Sequence, residues 1–263
     1  MKARRVISLL AAAVIVVALW QVVAMAVSAA RGVPFPAPLD TVRRAITLLG
    51  GKELTGRTIY VHVLHSLARW VTGFVVAAVL GVAYGLAAGW WRWLEDVTAP
   101  IVHILQLIPG LAWIPVALLL FGIGEAATVF MIGITAFTPV AINVLGGVKR
   151  VDATYLRAAR MMGARGPGLL FRVLLPGALP HILSGLRVGL GNGWRVLVAA
   201  EMVVGTGTGL GYSIIEARWT LDYTSAFVCI GVICIIGLLM ERLVFAAVER
   251  RTVERWGLSR TGP

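Results

Sequence analysis

The sequence predicts an all-α, polytopic membrane protein with about six transmembrane helices, and three observations carry that expectation. Of its 263 residues, 59% are hydrophobic and only 14% charged, with a mean hydropathy of +0.89. Soluble domains are nearer half apolar and a quarter charged, so an ordinary water-soluble enzyme is excluded, and so is a disordered chain. The apolar residues are gathered into runs long enough to cross a bilayer core, which takes roughly 20 residues of helix. Finally, 24 Lys and Arg stand against 12 Asp and Glu, a net charge of +12. That excess lies between apolar runs, where it reads as a membrane orientation signal and not as a nucleic-acid surface.

The first run covers residues 6–30. A basic start followed by apolar residues also describes a signal peptide, with Ala24-Met25-Ala26 resembling a cleavage site, but the run exceeds a signal core of about 7–15 residues, so a retained span is expected. Residues 33–38, alternating Pro with other residues, predict extended backbone, and an amphipathic interfacial segment follows over 39–64. The second run is 66–91 and the third 100–121, the latter with Pro109 and Pro115 inside it. Each proline removes a backbone hydrogen bond and can kink the helix, so the run reads either as a gate-lining helix that breaks toward a cavity or as a static kink. The fourth run is 126–148, the fifth and most polar 182–204, and the sixth 226–248. Cys229 and Cys234 lie inside that last run and read as small apolar residues.

Six spans put both termini and the second and fourth loops on one side. That side carries the larger basic set, including Arg4, Arg5, Lys149, Arg150, Arg157, Arg160, Arg250 and Arg251, so both termini are expected in the cytoplasm. The longest connection on that side spans residues 149–180. Asp152 is a good N-cap, residues 153–162 favour helix, and Tyr155, Ala159 and Met162 share a face. Gly163 supplies a stop. Pro167 starts a second short helix over 168–174, with Leu170, Val173 and Leu174 on its apolar side, ended by Pro176 and Pro180 before the fifth span. Two short amphipathic helices with an uncovered apolar patch predict a contact site for another chain.

Charged and polar groups in the fifth span carry a second expectation. Arg187, Trp194 and Glu201 recur every seven residues, and Asn192 and Arg195 share another stripe. Ionisable residues in a membrane face a protein interior or a cavity. Asn192, Arg195 and Glu201 therefore either line a pathway for an anionic solute or tie spans together. The glycine-rich stretch at 205–211 lacks the spacing of a nucleotide loop and falls on the external side, where it reads as an ordinary loop between spans or, alternatively, as a flexible turn facing a docked binding protein. His62 and His65 have helical spacing without an acidic or thiol partner, so no metal is expected. No catalytic constellation is visible, and the Trp residues cluster at span ends as an aromatic belt.

Ala158-Ala159, Gly163 and, after nine intervening residues, Val173-Leu174-Leu175-Pro176 resemble the signature loop of type I ABC importer permeases. The first position of that signature, usually Glu, is Arg157, which removes an acidic contact there but leaves the Gly and Pro geometry intact. Ser66-Leu67-Ala68-Arg69, Ile108-Pro109, Ile114-Pro115, Phe121-Gly122-Ile123-Gly124, Gly185-Leu186-Arg187, Ala200-Glu201-Met202 and Gly209-Leu210-Gly211 are similar to the branch handling nitrate, sulfonates and taurine. The resemblance spans nearly the whole chain and implies a single permease domain, residues 1–263, in the bacterial inner membrane. It implies a coupling loop comprising Tyr155, Arg157, Ala158, Ala159, Met162, Gly163, Leu170, Val173, Leu175 and Pro176. It implies a cytoplasmic ATPase dimer that binds the ATP and Mg, an external solute-binding protein, and a second permease copy. The sole Gly-Lys pair, Gly51-Lys52, is followed by Glu53, so this chain has no Walker A loop and is expected to be a transport subunit, not an enzyme. The same branch takes vitamin precursors, an alternative cargo. An autonomous ion-coupled carrier is a more distant alternative, against which stands the absence of a visible internal repeat.

Overall fold

A computed structural model of the chain describes residues 2–205 and 207–244. Helix α1 (Lys2–Arg31) leads through the extended proline segment to α2 (Pro38–Leu49), which Pro38 opens and Asp40 favours in the first turn. A two-residue hairpin, β1 (Glu53–Leu54) against β2 (Arg57–Thr58), feeds α3 (Ile59–Trp90), so the second span starts before the expected boundary and contains His62 and His65. Next come α4 (Arg92–Leu107), α5 (Ile114–Phe121) and α6 (Glu125–Lys149). They are followed by the short α7 (Ala153–Met161) and α8 (Pro167–Leu169), then α9 (Leu175–Val204), α10 (Leu210–Trp219) and α11 (Tyr223–Leu239). Among the described residues, five helices are long and apolar enough to cross a membrane, and a bent pair brings the number to six if it counts as one span. The end of the expected sixth run, with Arg250 and Arg251, lies outside the described residues.

The centre is a layer of α3, α6 and α9. Lipid offers no hydrophobic drive between helices, so close backbone approach has to supply packing. Small residues provide it: Gly73, Ala77, Gly81 and Gly85 form one buried stripe on α3 at a spacing of four. A Cβ on Gly85 would sit 2.5 Å from Val144, and one on Gly189 of α9 would sit 2.8 Å from the Ala136 carbonyl oxygen. Val140 and Val144, fully buried, fill the seam between them.

Three expectations are narrowed or corrected. The third run is broken at Ile108-Pro109 and is not a single helix with a static kink. Arg92–Leu107 and Gly110–Phe121 meet at 104°. Ile108 is extended, as residues before proline prefer, and Pro109 precedes a single 3-10 turn, Gly110–Trp113. Pro115 starts α5 within its first two positions, where its missing N–H breaks no bond, so it kinks nothing. Pro176 and Pro180 do not end the helix that Pro167 begins. Helical backbone continues through a π-type turn, Leu170–Leu174, into α9, with Pro176 in the first turn of α9 and Pro180 inside it. The wider turn lies directly ahead of the residue that cannot donate to it. Of the two readings of the glycine-rich stretch after α9, the flexible turn is set aside, because Thr208, Gly209, Leu210 and Gly211 are held by hydrogen bonds.

Candidate functional site

The connection after α6 folds into a braced knuckle. Asp152 caps α7 by accepting a hydrogen bond from the Thr154 N–H at 2.7 Å. That bond, the Thr154 side chain and Arg157 together hold the exposed Asp152 carboxyl below its ordinary range. The helix ends in a Schellman turn: the Ala164 N–H donates to the Ala159 carbonyl at 2.9 Å and the Gly163 N–H to Arg160 at 3.0 Å. Gly163 takes φ +87°, a conformation that side chains with a Cβ resist.

The apolar side of this knuckle divides in two. Ala159 and Leu174 are buried, and Leu156, Leu170 and Leu175 pack with Val148, Ala178 and Ile182 at the end of the α6–α9 seam. Thus Ala159 does not share an exposed face with Tyr155 and Met162, and Leu170 and Leu174 are covered by the bundle. What stays uncovered is Tyr155, Met161, Met162 and Phe171, with Met161 and Met162 each 83% exposed. Arg157 and Gly163 are exposed beside them, Ala158, Val173 and Pro176 half-buried.

Roughly 40 Å further along α9, at about 1.5 Å per residue, the opposite end is organised around a buried carboxylate. Glu201, 1% exposed, accepts from Arg69 Nη1 at 2.8 Å, from the Ser66 hydroxyl at 2.8 Å and from the Gly211 N–H at 2.9 Å. Arg69 also donates to the Thr208 carbonyl and hydroxyl oxygens at 2.7 and 2.9 Å, and to Glu125 at 3.1 Å. The Leu210 N–H donates to Ser66 Oγ, and the Gly209 N–H to His62 Nδ1. His62 Nδ1 accepts, so its proton sits on Nε2, which donates to the Leu54 carbonyl at 2.9 Å. His62 thus clamps the hairpin to the glycine loop, and no group of three or more metal-ligating side chains occurs among the described residues.

A cleft of about 260 Å³ lies between the bent pair, α6 and α9. Pro109, Asn192 and Arg195 line it, while Pro115 and Glu201 do not. Arg195 donates to Asn192 Oδ1 at 3.1 Å. The cleft also gathers Gln106, Trp113, Thr135 and Thr138, which sequence reasoning missed. Polar residues in otherwise apolar helices were the available signal for the two threonines and for Ser66 and Arg69, three apart on α3.

Residues 66–254 match the family described as the binding-protein-dependent transport system inner membrane component. The chain belongs to this family. A probable ABC transporter permease protein of Brucella melitensis is 37% identical over 86% of this chain and 89% of its own length. The taurine transport system permease protein TauC of Escherichia coli is 37% identical over 82% of this chain and 78% of its own. The nitrate import permease protein NrtB of Synechocystis is 31% identical over 88% and 83%. The fold is similar to that of the MetNI methionine ABC transporter in an inward-facing conformation, with a TM-score of 0.57 at 22% identity over 80% of this chain and 98% of that one. It is also similar to an amino acid ABC transporter, with a TM-score of 0.59 at 18% identity over 81% and 97%. This protein is a multi-pass permease subunit of an ABC importer, and the autonomous-carrier alternative falls with that membership.

Proposed function

We propose that the permease passes a small anionic solute of the nitrate, sulfonate or taurine kind, received from an external solute-binding protein, and that the knuckle at residues 149–180 is gripped by a cytoplasmic ATPase pair. The ATPases bind ATP and Mg; the permease, paired with a second copy in the bacterial inner membrane with its termini in the cytoplasm, converts their closure into movement of α6 and α9. One observation supports the grip above all. Tyr155, Met161, Met162 and Phe171 are exposed on a segment whose other face is fastened to the α6–α9 seam. A force applied to those side chains is passed to packed helices and not dissipated in a loose loop. The names of the relatives favour a solute with an anionic group: nitrate is itself an anion, and taurine, a zwitterion, carries a sulfonate.

Co-purification tests the reading. Gly163→Pro, which cannot adopt φ +87°, and Met162→Glu should each abolish recovery of the ATPase with the permease, while the spans still insert. An ATPase that stays bound, with transport intact, overturns the assignment.

A further inference from the structure

The cleft beside the bent pair carries information about the cargo itself. We propose that it is a transient station for a small oxyanion lacking an ammonium group, which rests on the permease reading above and narrows its solute class. Arg195 is the one ionisable side chain among the described residues lining the cleft. A carboxylate is absent from that lining, so an ammonium would meet a guanidinium with nothing to balance it, whereas a monoanion would complete the charge.

The hydrogen-bond inventory points the same way. Among the described residues, Arg195 makes one hydrogen bond, to Asn192 Oδ1, out of five N–H donors. Asn192 spends its acceptor oxygen on that bond and keeps its amide N–H donors. Thr135 Oγ1 is buried without any partner, the one such side-chain atom among the described residues. A buried hydroxyl left unpaired is costly, so its presence at a cleft wall calls for a visiting partner. The bend creates this wall: a Cβ on Gly110 would sit 2.3 Å from Val196 and 3.1 Å from Thr135 Oγ1, so only a glycine lets the turn close over them. Guanidinium, amide and hydroxyl donors around a charge-deficient space match an oxyanion with several acceptor oxygens. The volume, about 260 Å³, is below the roughly 300–1,000 Å³ of sites for drug-sized ligands. A single exposed cation binds weakly, which suits a site that must let go.

Trp113, which lines the cleft, makes this measurable on the full chain in lipid nanodiscs. Iodide quenching attributable to Trp113 is obtained by difference from Trp113→Phe, with acrylamide as the neutral quencher. Arg195→Gln should weaken iodide quenching of Trp113 roughly tenfold, the factor lost with one charge-assisted hydrogen bond, and leave acrylamide quenching unchanged. Arg195→Lys should restore most of the iodide effect, which separates lost charge from lost packing. Nitrate and methanesulfonate should compete with iodide, and taurine should need about tenfold more. Equal iodide quenching in wild type and Arg195→Gln, or taurine competing as well as methanesulfonate, overturns the proposal. Because the quenching is read without the ATPase, such a failure leaves the grip at the knuckle, read by co-purification, standing.

Discussion

The two ends of α9 solve opposite problems. At the Glu201 end the central polar groups are inside and satisfied, with Glu125 alone of Arg69's carboxylate partners at the exposed rim: the Glu201 carboxylate takes hydrogen bonds from Arg69, Ser66 and Gly211, and the loop after α9 is laced to α3 by its own backbone. At the knuckle end the backbone is also capped and hydrogen-bonded, yet Met161, Met162 and Phe171 face outward. The first end is closed and its residues hold the chain to itself. The second is fastened on one side and open on the other, the arrangement expected of a surface whose remaining partner is another chain. The difference teaches that bracing and completeness are separate properties: both ends are braced by hydrogen bonds and packing, and only one is complete.

Breaking the closed end should be the most damaging change to stability. Glu201→Ala leaves the Arg69 guanidinium, 4% exposed, with Glu125 as its remaining carboxylate, and should cost about 3–5 kcal/mol. Thermal unfolding in detergent would show it, with Glu201→Gln losing less because it keeps an acceptor for Gly211. Gly209→Ala should follow, at about 1–3 kcal/mol, since its Cβ would fall 2.5 Å from the Glu201 carboxyl at φ +128°.

A clasp of intermediate exposure lies between these extremes. Arg44 on α2 pairs with Asp222 at 2.9 Å and donates to Ser225 Oγ at 2.7 Å. Burial pushes the Asp222 carboxyl up, but the Ser225 hydroxyl and N–H and the Arg44 charge outweigh it, leaving the carboxyl below its ordinary range. Arg44→Ala should cost at most about 1 kcal/mol in the same unfolding assay, as for partly exposed pairs. At the open end, Met162→Glu should change stability by less than about 0.5 kcal/mol while removing the ATPase. A large stability loss there would mean that the knuckle is part of the closed core after all.

The legible parts of this molecule are those written as runs. Apolar length disclosed the spans, and the capping Asp152 with the stop at Gly163 disclosed α7, because both rest on local chemistry. Sequence periodicity could not say which apolar residues of the knuckle meet the bundle, since Ala159 and Met162 look alike until α6 and α9 are in place. The bend at Ile108-Pro109 was legible as a kink or break but not as a turn through 104°, because a proline removes one hydrogen bond whatever follows it. The pinning of the glycine loop was invisible for a similar reason. Its partners Ser66 and His62 are 144 and 147 residues away in sequence, and only the packing of α3 on α9 brings them to it, while Glu201 is 10 residues before Gly211.

The smallest expected effect sharpens the comparison at its open end. Asp152 has no buried partner; its carboxyl is held low by the Thr154 N–H first, then the Thr154 side chain and Arg157. A carboxyl lowered in the folded state stabilises it above its unfolded value, about 3.9, and that contribution disappears as pH falls through the folded value. Amide exchange at Thr154 should therefore be insensitive to protonation of Asp152 near neutral pH and lose protection, beyond the intrinsic pH dependence of exchange, only below about pH 4. Asp152→Asn keeps an N-cap acceptor and should abolish this acid response, while Asp152→Ala should lose protection at every pH. Arg157→Glu, which supplies the residue usual in the type I signature, puts a carboxylate where a cation now favours the ionised cap, so the acid loss should begin at higher pH. If Arg157→Glu leaves the onset unmoved, then the local electrostatics of the knuckle do not reach its cap, and the bracing of the open end rests on the Schellman turn and the packed Leu156 and Ala159 alone.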